Sequence, residues 1–325
     1  MNSIALADEI IAGRRLVKED DLSAFVTTDL DDLRKGADRI RKALVGEKVD
    51  LCTIISGVSG KCSENCRFCA QSGFHHTECE VHGLLPEEEI FAQAASDQAE
   101  GVNRFSIVNS GRKPRPDDFE KIIRVLERMH RELKIGLCCS LGFLTAEQFR
   151  RLRDAGVTHI HCNIETSRRN FPNICTTHTF EDKLENIRLA QKEGLQVCSG
   201  GIIGMGETWE DRLDMALCLS ELGVDSIPIN ALMPIPGTPL ENRPRLVEGD
   251  ILRTIAFFRY IIPTADIRLA AGRALLTRDG ELACRSGANA SITGNMLTTA
   301  SCATIRSDRQ MLADMGRDVT PKYWK

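Results

Sequence analysis

The chain has 325 residues, 42% of them hydrophobic, which is enough for one large α/β domain or two smaller ones. Its 42 basic and 46 acidic residues nearly balance, so the charge indicates neither a nucleic-acid nor a membrane partner. No apolar run approaches the roughly 18 residues of a membrane span, and Asp8 and Glu9 interrupt the apolar start, which excludes a secretory signal. Thirteen cysteines in such a chain favour reduced thiols, metal binding and a cytoplasmic location over disulfides.

The pattern of apolar residues predicts a barrel with a helical extension. Residues 1–46 are predicted to be helical, because Ile4, Leu6 and Ile10 recur near the helical period. Short apolar segments then alternate with longer amphipathic ones from residue 47 to 316, and residues 317–325 form a tail. The predicted strands are 49–56, 103–109, 135–140, 158–164, 196–203, 225–231, 266–270 and 288–292. Eight such units predict a closed α/β barrel of the (β/α)8 TIM type, whose active site lies at the carboxyl ends of the strands.

The loop after the first predicted strand carries the most specific motif. Three thiols, separated by three and then two residues, can converge there on one metal centre: Cys62, Cys66 and Cys69. Short loops of this kind hold iron–sulfur clusters, and three protein ligands leave one iron open. A structural zinc closed by Cys79, His75 or His76 is the alternative, although zinc ligands usually come as two separated pairs.

With these motifs the chain resembles the radical S-adenosylmethionine (SAM) enzymes and, more narrowly, the biotin synthase family. The cysteine loop is the signature of the wider family. The narrower similarity lies between about residues 40 and 316, in the segments NICTT (173–177), VCSGGI (197–202), GMGET (204–208), IN (229–230), GTP (237–239), RLAAGR (268–273) and SGAN (286–289).

The resemblance implies insertion of sulfur between two unactivated carbons of dethiobiotin, which gives biotin. Saturated C–H bonds offer no acidic proton and no electrophilic carbon, so a carbon radical has to abstract their hydrogens. Cofactors supply such chemistry while the protein positions it. In this family Cys62, Cys66 and Cys69 hold a [4Fe–4S] cluster, whose open iron chelates SAM and whose electron cleaves it to methionine and a 5′-deoxyadenosyl radical.

The resemblance also assigns the residues that bind SAM and substrate. Phe68 matches an aromatic beside the adenine, with a simple apolar anchor of the loop as the alternative. Glu165 matches an acid near the ribose, because carboxylate oxygens suit a sugar diol, and a cap of the following helix is the alternative. Asn163, in phase with Glu165, and Asn230 match asparagines that contact substrate or SAM. Gly204 matches a glycine that lets the backbone approach the nucleoside.

A second, auxiliary iron–sulfur cluster supplies the sulfur in this family. It is usually a [2Fe–2S] cluster held by three cysteines and one arginine. Three of these ligands are matched by Cys138, Cys198 and Arg268, which are therefore the expected catalytic residues. Ser106 stands at the fourth position, where the family usually has cysteine.

Three explanations of this serine remain open. Ser106 ligates through oxygen, which suits soft iron–sulfide iron poorly, or the cluster is lost, or another cysteine replaces the ligand. We favour a replacement, which would give a cluster of different composition or geometry. The spare cysteines are Cys139, Cys162, Cys175 and Cys302, of which Cys175 is preferred because it follows the fourth strand on the active-site face. Packing is the expected role of Cys52, Cys218 and Cys284.

The arginine that this chain retains at position 268 bears on whether the cluster is lost. An arginine in an apolar barrel needs a partner, which is either an anionic cluster or an interior acid such as Glu165. The family resemblance further implies a flavodoxin- or ferredoxin-type electron donor and a homodimer. The competing functions are a related radical SAM enzyme without sulfur insertion, of the mutase or hydrogenase-cofactor maturase type, and a non-catalytic zinc protein.

Overall fold

Nine parallel strands form one sheet at the centre of the protein in the computed structural model, which describes residues 1–294 and 304–321. They are β1 (Asp50–Val58), β2 (Arg104–Asn109), β3 (Gly136–Ser140), β4 (Val157–His161), β5 (Gln196–Cys198), β6 (Gly201–Ile203), β7 (Ser226–Ala231), β8 (Asp266–Leu269) and β9 (Ala290–Ile292). The order is β5-β4-β3-β2-β1-β9-β8-β7-β6, and a further pairing of β5 with β7 closes the sheet.

Two predicted strands differ from expectation: the fourth ends at His161, before Asn163 and Glu165, and the fifth is interrupted. The interruption lies at Ser199 and Gly200, so that β5 and β6 together occupy one position of the barrel. A Cβ atom at Gly200 would overlap the carbonyl oxygen of Pro228, and one at Gly201 would overlap that of Glu165. The backbones of neighbouring strands therefore approach closely here, which only glycine permits. With β5 and β6 counted as one, the closed (β/α)8 barrel is confirmed.

Helices cover the outside of the barrel and precede its first strand. They are α1 (Ser3–Ile11), α2 (Ala24–Thr27), α3 (Leu30–Leu44), α4 (Glu87–Ala99), α5 (Pro116–Glu132), α6 (Ala146–Asp154), α7 (Phe180–Lys192), α8 (Trp209–Glu221), α9 (Glu248–Ile261), α10 (Glu281–Cys284) and α11 (Ile305–Asp314). Short 3-10 helices span Phe171–Asn173, Arg273–Leu275 and Thr277–Gly280. The boundaries at residues 46 and 316 stay a prediction. No helix of the described segments has the length and apolar character to cross a membrane.

The helix starts follow the capping chemistry of the sequence. Thr145 begins α6 with a capping box, in which its hydroxyl accepts from the backbone of Gln148 while the Gln148 side chain accepts from the backbone of Thr145. Thr179 and Thr208 begin α7 and α8 in the same way. These caps fix where each βα loop ends, and hence the length of the loops that build the mouth of the barrel.

A buried charged network closes the amino end of the barrel. The two carboxylate oxygens of Asp50 accept from Arg268 Nη2 at 2.6 Å and from Arg104 Nε at 2.8 Å. The guanidinium group of Arg104 also contacts the ring of His159, with 2.6 Å between Arg104 Nη1 and His159 Nδ1. Burial opposes the charge of Asp50, but the two arginines outweigh it, so the pKa of the carboxyl lies below its usual value.

The buried histidine of this network makes the stability depend on pH. Burial and the charge of Arg104 lower the pKa of His159 to about 2, so the folded protein keeps the ring neutral. The unfolded chain binds a proton on it below pH about 6.5, and the free energy of unfolding must therefore fall as the pH drops below that value.

We expect His159→Gln to reduce this slope by up to about 1.4 kcal/mol per pH unit between pH about 6 and 5. Urea unfolding of the metal-free protein at a series of pH values measures the slope. The exposed His130, replaced by glutamine, serves as the control and should leave the slope unchanged. Equal slopes in wild type and His159→Gln contradict a neutral buried ring.

Candidate active site

The cysteine loop follows β1 at the carboxyl end of the barrel, as predicted from the order of the elements. Its base is closed by two backbone hydrogen bonds of 2.8 Å, from Cys62 N to Gln71 O and from Gly73 N to Cys62 O. Lys61 has a φ of 48°, so the chain enters the loop in the left-handed region. All three thiols, of Cys62, Cys66 and Cys69, are half-buried and belong to no disulfide. Three converging free thiols in one tight loop fit a metal cluster with one open position.

A buried acid joins this loop to the NICTT segment. Glu64 Oε2 accepts from His178 Nδ1 at 2.6 Å and from Thr177 Oγ1 at 2.9 Å. Burial raises the pKa of Glu64, but these hydrogen bonds prevail and hold it below the usual value. Asn65 Oδ1 adds a bond of 2.9 Å from Thr176 N. The sequence analysis missed Glu64 and His178, although the position of Glu64 between two of the cysteines was a signal.

Cys175 lies beside the cysteine loop. Its sulfur is 3.8 Å from Cys66 Sγ and 3.4 Å from His178 Nδ1, and these three side chains are close enough to hold a metal ion. By contrast, His75 Nε2 contacts the backbone oxygen of Cys66 at 3.1 Å. Because Cys175 neighbours Cys66 and not the interior cysteines, the reason for preferring it as the replacement for Ser106 does not hold.

Below the loop, a cavity of about 280 Å³ opens toward the barrel interior. Polar and apolar side chains both line the cavity, which is typical of a site for a small molecule. Its lining comprises Ile54, Val108, Ser140, Gly142, Phe143, His161, Cys162, Asn163, Glu165, Lys183, Cys198, Pro228, Asn230, Ala271 and Ile292. The structure therefore brings together four of the predicted site residues, Asn163, Glu165, Cys198 and Asn230.

Glu165 is the most unusual residue of the cavity. It has a φ of 69°, although it is not glycine, and its buried Oε2 has no hydrogen-bond partner among the described residues. Burial raises the pKa of this carboxyl, and the charges of Lys183 and His178 only partly offset the effect. The capping role that was the alternative for this segment falls to Ser167, whose Oγ accepts from Asn170 N at 3.1 Å just before the 3-10 helix Phe171–Asn173. A strained, unsatisfied acceptor in a cavity fits a ligand with donor groups.

Lys183 is a cavity residue that the sequence analysis missed. It belongs to α7, and its Nζ lies 5.4 Å from the ring centroid of Phe143. Burial opposes its charge, but Cys162, Glu165 and Cys66 outweigh this effect and raise the pKa of the ammonium group. Lys183 thus supplies a buried positive charge beside Glu165. Nothing in the helical pattern distinguishes it from a surface lysine.

Both predicted asparagines hold the strands around the break between β5 and β6. Asn163 Oδ1 accepts from Gly200 N at 3.1 Å. Asn230 donates from Nδ2 to Gly201 O at 3.0 Å and accepts at Oδ1 from Ala271 N at 3.1 Å. Each side chain keeps further amide hydrogens toward the cavity. Their contacts with substrate or SAM stay a prediction.

Phe68 belongs to a small apolar cluster at the mouth of the barrel, separate from the main core. It packs with Ile202 against the buried residues Ile174, Met205, Leu232 and Leu240. Gly204, next to Met205, has a φ of 96°, and its N–H donates to Glu207 Oε1 at 2.7 Å. An apolar surface with an aromatic ring suits a nucleobase, and it equally anchors the loop, so both explanations of Phe68 stand.

The deepest part of the interior contains the predicted sulfur-site residues. Cys138 and Cys198 are 0% and 3% exposed, and Cys198 Sγ donates to Ser226 Oγ at 3.3 Å. Arg268 donates to the same hydroxyl at 3.3 Å and forms its ion pair with Asp50. Of the two kinds of partner considered for Arg268, the structure shows an interior acid. This acid is Asp50 and not Glu165. The burial of Arg268 therefore does not by itself indicate an anionic cluster, and its role as a ligand stays a prediction.

Comparison with known proteins identifies related sequences over nearly the whole chain. The family models of the Radical SAM superfamily and of the Biotin and Thiamin Synthesis associated domain match residues 56–219 and 228–318. A biotin synthase of Clostridium beijerinckii is 57% identical over 96% of this chain and 98% of its own length. One of Alkaliphilus metalliredigens is 54% identical over the same shares.

Solved structures with the same fold are more distant in sequence. Methylornithine synthase superposes with a TM-score of 0.84 at 21% identity and covers 98% of this chain and 97% of its own. HydG, a maturase of the [FeFe]-hydrogenase, gives a TM-score of 0.81 at 16% identity, over 100% of this chain and 76% of that one. At these identities the similarity supports the barrel fold alone.

Proposed function

The chain belongs to the biotin synthase family of radical SAM enzymes, and on this premise we propose which of its residues carry out the reaction. Members of this family convert dethiobiotin to biotin, which replaces two C–H bonds by two C–S bonds. The alternative without sulfur insertion is not favoured, because curated biotin synthases share 45–57% of their residues with this chain. The mutase- and maturase-type barrels share 16–21%.

The observation that carries the proposal is the arrangement of thiols along the barrel axis. Three thiols lie in the loop at the carboxyl end of β1, Cys198 lines the interior cavity, and Cys138 is buried in β3 of the same barrel. Substrate bound in the cavity would thus lie between the site where SAM is reduced and the site that donates sulfur. A barrel that only bound metal would need no such cavity between two sets of thiols.

At the mouth, Cys62, Cys66 and Cys69 would hold the [4Fe–4S] cluster, which when bound supplies the electron that cleaves SAM. The protein's own groups orient SAM. The unsatisfied Oε2 of Glu165 accepts from the ribose hydroxyls, and Phe68 with its apolar cluster contacts the adenine. Asn163, hydrogen-bonded to Glu165, contributes a further amide donor. Lys183 balances the negative charge of Glu165 or of a bound carboxylate.

In the interior, Cys138, Cys198 and Arg268 would hold the auxiliary iron–sulfur cluster that is consumed as the sulfur donor. Burial keeps water away from these side chains. The Cys198 thiol and the Arg268 guanidinium group both donate to the hydroxyl of Ser226, which fixes the distance between them. Their catalytic role is thus to present sulfur at the floor of the cavity.

Replacement of Glu165 by glutamine tests the SAM site. We expect the KM for SAM to rise about 10- to 100-fold, because a hydrogen bond to a buried charged acceptor contributes about 1.5–3 kcal/mol. Initial rates at saturating dethiobiotin measure the effect. The matched control is Glu147→Gln on the exposed face of α6, which should leave the KM unchanged. An unchanged KM in Glu165→Gln would place the ribose elsewhere.

The function itself is tested on protein reconstituted with iron and sulfide without oxygen. It should contain more iron than one [4Fe–4S] cluster and convert dethiobiotin to biotin, measured by mass spectrometry, with SAM and a reductant. Iron for one cluster only, with no biotin formed, contradicts the proposal. Colourless protein that binds zinc in the cysteine loop would support the structural-zinc alternative.

We further infer the setting in which the enzyme works. Family membership favours a cytoplasmic homodimer that receives its electron from a flavodoxin- or ferredoxin-type protein. Size-exclusion chromatography with light scattering tests the dimer. Rates of biotin formation with a reduced flavodoxin or ferredoxin in place of dithionite test the electron donor.

A further inference from the structure

We propose that Cys52 is the third thiolate of the interior metal site and takes over the ligand position that Ser106 leaves open. This inference rests on the proposed function. It goes beyond it, because Cys52 lies on β1, whereas Ser106 lies on the neighbouring strand β2. Cys52 was expected to pack in the core, and this proposal gives it a further role.

The direction of the Cys52 side chain follows from the alternation along β1. Asp50 reaches inward to Arg268 and Arg104, and Ile54 lines the interior cavity. Since every second residue of a strand faces the same side, Cys52 between them also faces the interior. Its side chain is 1% exposed.

The neighbours of Cys52 are the other residues of the proposed site. Its thiol is a hydrogen-bond partner of the Cys138 thiol, and Cys198 is close enough to interact with it electrostatically. The guanidinium of Arg268 lies near both Cys52 and Cys198, and that of Arg104 lies near Cys138 and Cys198. Cys52, Cys138 and Cys198 thus converge from three strands beside two buried cations.

The remaining spare cysteines of residues 1–294 have other neighbours. Cys139 alternates with Cys138 and lies in the outer core. Cys162 lines the interior cavity, although it was expected to point outward, but its Sγ accepts from Asn186 Nδ2 of α7 at 3.5 Å. Cys175 contacts the cysteine loop. Cys218 and Cys284 belong to the outer helices α8 and α10. Cys302 lies outside the described residues.

The serine at the family's usual ligand position fits a supporting role. Ser106 Oγ is fully buried and has no hydrogen-bond partner among the described residues. An alkoxide oxygen is a poor ligand for iron–sulfide iron, whereas a hydroxyl readily donates to a sulfide or thiolate. His161 pairs in register with Cys198 and lines the cavity, so it is the alternative to Cys52 as the remaining ligand of the interior metal site.

The test compares four variants of the full-length, anaerobically reconstituted protein: Cys52→Ser, Ser106→Ala, His161→Gln and, as the control, Cys139→Ser. Iron and sulfide per chain and Mössbauer spectra report the clusters, while 5′-deoxyadenosine reports SAM cleavage independently. We expect Cys52→Ser to lose the iron beyond one [4Fe–4S] cluster and all biotin formation, and to keep SAM cleavage. Ser106→Ala, His161→Gln and Cys139→Ser should keep both clusters.

A double variant separates loss of the ligand from loss of the fold. Cys52→Ser combined with Ser106→Cys restores three thiols to the interior, and we expect it to regain the second cluster with an altered spectrum. Loss of the second cluster in Ser106→Ala or His161→Gln, or its retention in Cys52→Ser, overturns the assignment. If the wild type makes biotin and holds excess iron while Cys52→Ser does the same, only this inference fails. If the wild type does neither, the proposed function fails.

Discussion

Replacing Cys69 by alanine is expected to lower the rate of biotin formation more than 1,000-fold. The loop that is closed by the bond from Gly73 N to Cys62 O contains three cysteines, so no further thiol within it can replace Cys69. Two thiolates hold a [4Fe–4S] cluster too weakly for it to bind and reduce SAM. Iron should fall by about four atoms per chain, and 5′-deoxyadenosine formation should disappear with it.

The matched control for Cys69→Ala is Cys139→Ala, which removes a buried thiol that faces the outer core. It should cost some stability but leave iron, SAM cleavage and biotin formation unchanged. Cys175 neighbours Cys66, so Cys69→Ala should also be combined with Cys175→Ala. Biotin formation that persists in the single variant and vanishes in the double one would show that Cys175 can serve as a ligand of the mouth cluster.

Replacing Asp50 by asparagine should lower the free energy of unfolding by about 3–5 kcal/mol. The carboxylate accepts from Arg268 and from Arg104, and all three side chains are buried. Asparagine keeps the shape but leaves both guanidinium groups next to each other without a compensating charge. Removing one partner of a buried ion pair lowers the stability strongly, because the remaining charge is not hydrated.

Urea unfolding of the metal-free protein measures the effect of Asp50→Asn. The control is Asp266→Asn at the start of β8, where burial already raises the pKa of the carboxyl and Asn289 Nδ2 donates to it at 2.6 Å. Asp266→Asn should lower the free energy of unfolding clearly less than Asp50→Asn does. A second comparison is Asp50→Asn with Arg268→Met, which should regain part of the lost stability because the buried guanidinium group that paired with Asp50 is removed. Equal stability of wild type and Asp50→Asn contradicts the role of the network.

The barrel was predictable because its signals are local. Each apolar strand is short and each amphipathic segment is long, so the order of elements alone predicts the closed sheet and the end at which Cys62 and Glu165 lie. The break after Cys198 was not predictable, since it depends on the close approach of Gly200 to Pro228 on another strand. Contacts between distant segments leave no pattern in either one.

The same limit applies to the interior site. Cys175 was preferred for its place in a loop on the correct face, but its distance to Cys66 depends on how two loops pack. The inward direction of Cys52 could have been inferred from its alternation with Asp50, but its neighbours on other strands could not. The ion pair of Asp50 with Arg268 joins β1 to β8, across 218 residues of sequence. Only the closed barrel brings them together.

Among the described residues, the buried ion network of Asp50, Arg104 and Arg268 fills the amino end of the barrel. If Cys138 and Cys198 hold the sulfur donor as proposed, its sulfur would be replaced through the mouth. Reloading of the protein and entry of fresh dethiobiotin then use the same passage. Biotin that stays bound in the cavity would therefore block both replacement of the sulfur and binding of the next dethiobiotin. The rate of biotin release would then limit the number of turnovers of each protein molecule.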